Sequence, residues 1–238
     1  MKIATFIDDD RVEKPIVQNT TWWEMARAGL PTASEFGNIL TPKFAPRTGE
    51  MVESYLAMKI SERWTGTPTM GKKTVEMEFG NILEDKAKPT YTLLFDEEIT
   101  NVGFVTTDDG KIGCSPDGLI GGDGGIEIKC PEAKTHTKYL LAGKLPEDYV
   151  LQVYGSLFVT GRAWWKFMSF RRNFPVYVTT IERDDKINAV IEETLYAFCE
   201  RLDAGFNRIC EMNGGPPIRA AVKQSQADFS VNENDIPT

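Results

Sequence analysis

The sequence predicts a single α/β domain, a central mixed β-sheet flanked by helices, and three observations predict it. Helical patterns occupy both ends of the chain and bracket a central run of strand patterns. The 238 residues hold no internal repeat, no low-complexity stretch and no linker that would divide them. The composition, 41% apolar and 26% charged, is that of a globular chain able to bury a substantial core. The domain is expected to span residues 1–215. Residues 216–238 read as a polar, disordered tail.

Residues 20–40, TTWWEMARAGLPTASEFGNIL, read as two short helices. Thr20 or Thr21 caps the first, which Gly29 and Pro31 stop. The second starts at Thr32, with Glu35 three residues on as a capping box. TPKFAPRTGE (41–50) reads as a loop. MVESYLAMKISERWTG then sets Val52, Tyr55, Leu56, Lys59, Ile60 and Trp64 at helical spacing. A further helix pattern covers Val75 to Phe95, and Pro89 inside it is expected to kink or break it after Glu84.

Strands follow in ITNVGFVTT and KIGCSPDGLI, joined by the turn DDG, then the turn GGDGG and the strand IEIKC. Residues 134–143 and 147–160 read as helices; AWWKFMSF and VYVTTIER read as strands. A last helix over about 184–212 aligns Ile187, Ile191, Leu195, Phe198, Leu202, Phe206 and Ile209.

Several function classes are disfavoured by composition. No apolar run approaches the roughly 18 residues of a membrane span, so no membrane partner is expected. The opening MKIATFIDDDRVEK has no apolar signal core and turns acidic at once, which predicts a cytoplasmic protein. The four cysteines, Cys114, Cys130, Cys199 and Cys210, form neither a C-x-x-C pair nor a zinc spacing with His136, the sole histidine. They read as buried reduced thiols, and their spacing argues against an iron–sulfur cluster. A net charge of −8 speaks against a nucleic-acid partner unless the basic residues are gathered in one place.

The stretch GCSPDGLIGGDGGIEIKCPE, 113–132, carries the chemistry. If GGDGG is a hairpin turn centred on residue 123, Asp117 faces Lys129; centred on 122, it faces Glu127. In both cases the three side chains lie within about 4.5–8 Å at Cβ. Alternation puts Glu127 and Lys129 on one face, with Ile126, Ile128 and Cys130 on the other. Two converging carboxylates repel unless a cation lies between them. A hard ion such as Mg²⁺ meets that need, with Lys129 holding or deprotonating a water beside it. The same spacing also suits a surface hairpin with an ordinary salt bridge, so geometry alone leaves both readings open.

SPDG followed by IEIKCP resembles the PD-(D/E)xK nuclease signature, through Pro116, Asp117, Glu127 and Lys129. More narrowly, the chain resembles the phage λ exonuclease family of YqaJ-like viral recombinases. RAGLPTASE, FGNILEDKA, CSPDGL, EIKCP, LQVYGSLFVT and IERDD occur in that family's order, over roughly residues 20–190. The resemblance implies a restriction-endonuclease-like core and a Mg²⁺-dependent (or Mn²⁺-dependent) 5′→3′ exonuclease acting on duplex DNA ends. It implies two ions, with Asp117, Glu127 and the carbonyl of Ile128 binding metal, and Glu84 serving a second ion or its waters. Lys129 would position the water and Gln152 would orient Lys129 or that water.

The bland alternatives are an exposed helix acid for Glu84 and a surface helix residue for His136. Gln152, in an apolar helix with Tyr149, Val150, Val153 and Leu157, needs a partner. The resemblance also implies a 5′-phosphate pocket from Arg27, Ser34 and Ser115. The family's further basic contact falls here on Thr135, and Lys134 is the expected substitute. Finally, it implies a homotrimeric ring in a phage or prophage recombination system of a bacterial host, with a single-strand-annealing partner. A restriction-like or repair endonuclease, or a non-catalytic end-binding protein that loads the annealing partner, are the alternative functions.

Overall fold

The computed structural model describes residues 1–7, 11–69 and 75–217. Most of the expected tail, from residue 218 on, lies outside the described residues. The chain opens with β1 (Lys2–Ile3) and a hairpin of β2 (Thr5–Ile7) and β3 (Glu13–Pro15), then α1 (Thr21–Arg27) and a 3₁₀ helix, Ala33–Asn38. The helices α2 (Glu50–Thr65) and α3 (Val75–Phe95) lead into short strands β4 (Ile99–Thr100), β5 (Val105–Thr106), β6 (Gly113–Cys114) and β7 (Gly118–Ile120). After β8 (Gly124–Lys129) come α4 (Ala133–Ala142), a 3₁₀ turn at Glu147–Tyr149 and α5 (Val150–Thr160). The strands β9 (Trp164–Ser169) and β10 (Tyr177–Glu182) precede the long α6 (Asp185–Asn213).

The main sheet has the order β10-β9-β8-β7-β4 and is mixed, as expected: β8 and β9 pair in parallel and the other pairs are antiparallel. The parallel pair is joined by the α4–α5 crossover, the connection such a pair requires. On one face, Ala87 and Tyr91 of α3 pack with Ile120, Ile126, Ile128 and Met168. On the other, Val153 and Leu157 of α5 pack with Leu119, Trp165, Phe167 and Ile181. A third cluster joins α2, α5 and α6 through Val52, Tyr55, Leu151, Ile191, Leu195 and Leu202. Among the described residues no helix is long and apolar enough to cross a membrane.

Four local expectations need correction. The helix expected from Thr32 is a six-residue 3₁₀ helix whose Thr32 side chain caps no backbone N–H. The Thr32 hydroxyl instead donates to the Glu35 carboxylate, so the capping box is not made. Pro89 does not break the helix expected from Val75: α3 is one element through it. A helix-interior proline costs about 3 kcal/mol, and the complete burial of Ala87 and Tyr91 on either side, with a Glu84–Lys88 ion pair at 3.0 Å, offsets that cost.

The two long strands expected over 99–120 are four short ones shared between two sheets. One break falls at Gly103, where a Cβ would stand 1.9 Å from the Ile16 carbonyl oxygen; the other falls at Ser115–Asp117. Of the cysteines, all free, Cys114 and Cys199 are buried but Cys130 and Cys210 are only half-buried. Cys130 follows the last residue of β8 and Cys210 lies in the last turn of α6.

The β7–β8 hairpin matters most for function. Its register pairs Gly118 with Ile126 and Ile120 with Gly124, a turn centred on residue 122, which carries Asp117 opposite Glu127. Gly124 and Gly125 are where the turn meets β9: a Cβ on either would stand 2.1 or 2.3 Å from the Trp164 or Trp165 ring. Arg162 closes the turn by donating from Nη1 to the carbonyls of Gly121 (2.9 Å) and Gly124 (2.7 Å).

Candidate active site

Asp117, Glu127, Lys129, Glu84, Gln152, Arg27, Ser34 and Ser115 all line one cleft of about 510 Å³, together with the backbone neighbour Ile128. Four parts of the chain converge to build it: α1 with the 3₁₀ helix, α3, the β6–β7–β8 segment and α5. Lys134 does not join them; it lies exposed in the first turn of α4.

The carboxylate half forms around β8. Glu127, 1% exposed, accepts at Oε1 from Lys129 Nζ (2.5 Å) and Gln152 Nε2 (2.6 Å). Gln152 therefore finds its required partner in the carboxylate rather than in Lys129. Asp117 Oδ2 accepts from the Ile128 N–H at 2.6 Å. Lys129 also lies over the Tyr149 ring, 5.2 Å from its centroid. Glu84 is half-buried rather than an exposed helix acid, and it pairs with Lys88.

These acids raise one another. Burial, then the charge of Glu127, pushes the Asp117 carboxyl up to about 7. Burial and, more weakly, Glu84 hold Glu127 above its ordinary value against the pull of Lys129. Burial, then Asp117, raises Glu84. Burial would lower Lys129, but Glu127 and Asp117 outweigh it and keep the ammonium protonated.

Three carboxylates thus share one region with Lys129, while Lys88 pairs with Glu84, and Glu127 Oε2 is buried with no hydrogen-bond partner. An orphaned carboxylate oxygen among mutually repelling acids fits a hard divalent cation, whose preferred donors are oxygens. Among the described residues no three such groups converge on one point as they stand. Lys129 and Gln152 hold Glu127 Oε1, Lys88 holds Glu84 Oε1 and the Ile128 N–H holds Asp117 Oδ2.

The second half of the cleft is cationic. Arg27, in the last turn of α1, stacks over Trp23 at 4.4 Å, and its polar partners among the described residues are hydroxyls rather than carboxylates. Nη1 donates to Ser115 Oγ at 2.8 Å, and Nη2 lies 3.3 Å from Ser34 Oγ and 3.4 Å from Thr32 Oγ1. Burial draws the guanidinium below its ordinary value, with Glu35 acting against that from a distance.

Ser115 Oγ accepts from Trp23 Nε1 as well, at 2.8 Å. A hydroxyl has two lone pairs and one proton. With both lone pairs engaged, the Ser115 proton is left to donate into the cleft. A guanidinium edge and free hydroxyl protons can together receive an oxyanion.

Several residues here escape a reading of the sequence. Trp23 was legible in principle, since it stands four residues before Arg27 on the same helix face. Tyr149, three before Gln152, was too. Gln18, which donates to the Pro116 carbonyl at 2.6 Å and so braces the loop before Asp117, is 98 residues away and gave no signal. His136, expected at the surface, is fully buried. Its ring nitrogens lie 2.7 Å from Ser169 Oγ and 2.9 Å from the Pro175 carbonyl, so it ties α4 to the turn after β9.

A mixed sheet carrying this Asp, Glu and Lys cluster on an antiparallel hairpin, with a glutamate and a glutamine brought from flanking helices, defines a protein of the PD-(D/E)xK nuclease fold. The sequence matches the YqaJ-like viral recombinase domain over residues 22–163. It is 33% identical to the alkaline exonuclease LHK-Exo of Laribacter hongkongensis, with a TM-score of 0.74 over 82% of this chain and 98% of that one. LHK-Exo in complex with dAMP matches to the same degree. A phage-related exonuclease from Haemophilus somnus 129PT shares the fold, with a TM-score of 0.56 at 14% identity over 76% of this chain and 96% of that one. No curated protein matches the sequence significantly. The chain belongs to the YqaJ-like viral recombinase family.

Proposed function

We propose that this protein is a metal-dependent exonuclease that degrades one strand of linear duplex DNA from its 5′ end. The observation that carries the reading is the contiguity of the two halves of the cleft. Arg27, Ser34 and Ser115 offer an anion site in the same 510 Å³ space as the carboxylates and Lys129. An end held by its terminal phosphate would then lay its first internal phosphodiester over the carboxylate cluster.

Asp117 and Glu127, with the Ile128 carbonyl, would hold a Mg²⁺ or Mn²⁺ ion, and Glu84 would serve a second. Such ions supply a water of lowered pKa and stabilise charge on the attacking and leaving oxygens. Gln152 holds the Glu127 carboxylate in one orientation. Lys129, kept charged by its acids and seated on Tyr149, orients the water and balances charge on the phosphate. The relative crystallised with dAMP, a 5′ mononucleotide, supports a product of that kind here.

The reading extends to assembly. Three copies in a ring would gather basic residues around the DNA, while the acidic surplus behind the net charge of −8 faces outward. The 3′ single strand left behind would pass to an annealing protein of a phage-type recombination system in a bacterial cytoplasm. The test is to incubate linear and closed-circular duplex with Mg²⁺, with and without chelator. Mononucleotides from linear DNA only, abolished by chelation, are expected. Cut circles would mean an endonuclease instead, and binding without products would mean an end-loading protein.

A further inference from the structure

Lys59, on α2, is only 3% exposed and does not line the cleft. A buried ammonium is costly unless paired and hydrogen-bonded, and Lys59 is paired twice. Its Nζ lies 2.9 Å from Glu35 Oε2 and 3.0 Å from Glu62 Oε2. Tracing what these acids touch leads back to the anion site.

Glu35 Oε2 also accepts from the hydroxyls of Tyr55 and Thr32, each at 3.0 Å. The Thr32 proton is thereby committed to Glu35. Only the oxygen lone pairs of Thr32 remain for Arg27, whose Nη2 stands 3.4 Å away. A continuous path therefore runs from the Arg27 guanidinium through Thr32 and Glu35 to the buried ammonium. Each bond in it has one possible direction, because the guanidinium and the ammonium can only donate and the Glu35 carboxylate can only accept. The Lys59 charge keeps that carboxylate paired where it is.

The second arm holds the backbone. Glu62 Oε2 accepts from the Gly29 N–H at 2.8 Å, and Arg63 Nε donates to the Gly29 carbonyl at 2.9 Å. Both polar backbone groups of the residue two after Arg27 are thus gripped by α2. Gly29 has φ +73°, and a Cβ there would come within 2.3 Å of the Arg63 side chain. The turn has little freedom to take another shape.

We infer that Lys59, acting through Glu35, Glu62 and Thr32, is the positioning residue of the Arg27 anion site and sets the preference for phosphorylated ends. This inference rests on the phosphate-end reading given above. Lys59 touches no substrate atom. Its effect is to hold one rotation of Arg27, so that a terminal phosphate meets a prearranged guanidinium and two hydroxyl protons.

The test measures initial rates on linear duplexes with 5′-phosphate or 5′-hydroxyl ends, at one salt concentration, beside thermal denaturation. The proteins are the parent, Thr32→Val, Lys59→Met and Lys59→Arg. Thr32→Val removes one hydroxyl with little change of shape, so it carries the test even if Lys59→Met fails to fold. Thr32→Val and Lys59→Met should lower the phosphate-to-hydroxyl rate ratio by about fivefold or more, the worth of one hydrogen bond. The loss should fall mainly on KM for phosphorylated ends, and Lys59→Arg should recover most of the ratio. A preferring parent whose variants slow both ends by one common factor would overturn the inference and leave the phosphate pocket standing. A parent with no preference would sink the phosphate pocket, and this inference with it.

Discussion

The two halves of the cleft are built on opposite principles. Around β8, three carboxylates crowd Lys129, with Lys88 paired to Glu84, burial raises all three acids, and one oxygen of Glu127 is left without a partner. Around α1, a half-buried arginine has hydroxyls and an indole face for company. The first half has negative charge in excess and the second has positive charge to spare. A phosphodiester with a terminal phosphate and divalent cations complements both at once, and neither half alone implies that substrate.

The contrast can be broken most sharply on the carboxylate side. If Glu127 holds the metal as proposed, Glu127→Ala should lower nuclease activity by about a thousandfold or more, because such a ligand would stand for several kcal/mol of transition-state stabilisation. Folding and end binding should persist, as read by thermal denaturation and a gel-shift assay with chelator. Near-normal turnover in that variant would remove the carboxylate half from the mechanism.

On the cationic side the expected effect is smaller. Arg27→Ala should cut the rate on phosphorylated ends about tenfold more than on hydroxyl ends, a size suited to a charge-assisted hydrogen bond. Equal losses on both ends would make Arg27 a structural helix-end charge.

The scaffold behind the cationic half gives a pH-dependent effect. Burial raises Glu62, but the N–H groups of Gly29 and Thr69 and the Lys59 ammonium outweigh it and leave its pKa below the usual 4.5. A depressed folded-state pKa means stability that is present above the unfolded value and lost as pH falls through the folded one. Glu62→Gln should therefore lower stability at neutral pH, by up to roughly 3 kcal/mol for one member of a buried pair. Denaturant titrations across pH should show the gap to the parent narrowing below 4.5. A gap independent of pH would mean that the loss is packing rather than charge.

The smallest effect is that of the ion on the fold. Mg²⁺ at many times its dissociation constant should raise the parent's melting temperature by a few degrees, as a ligand of the native state must. Glu127→Ala should lose that rise. A shift of the same size in both proteins would place the ion elsewhere.

The same contrast explains what was legible in the sequence. The carboxylate half depends on one hairpin, so Asp117, Glu127 and Lys129 could be brought together by counting residues across a turn. The structure fixes the turn's centre at 122, one of the two registers that counting allowed. Gln152 could be singled out because an amide in an apolar helix needs a partner. The cationic half joins residues 23–34 to Ser115 across a separation of some 80–90 positions, and no periodicity spans that distance. Only the resemblance to a family put those residues together.

Helical spacing sets Lys59 on one face with Val52, Tyr55 and Ile60, which is right about its burial and silent about its ion pairs. The persistence of α3 through Pro89 and the burial of His136 were illegible for a related reason. Each is decided by packing against elements distant in sequence, which overrides a local preference.

The most direct test of the claim that both halves act on one DNA end is mononucleotide release from linear duplexes that differ only in a 5′-phosphate or 5′-hydroxyl. It is run with Mg²⁺ at a single ionic strength, because phosphate contacts are salt-sensitive. The account predicts faster release from the phosphorylated end, with 5′ mononucleotides as product and no release once the metal is chelated. Equal rates from the two ends, or release that survives chelation, would contradict it.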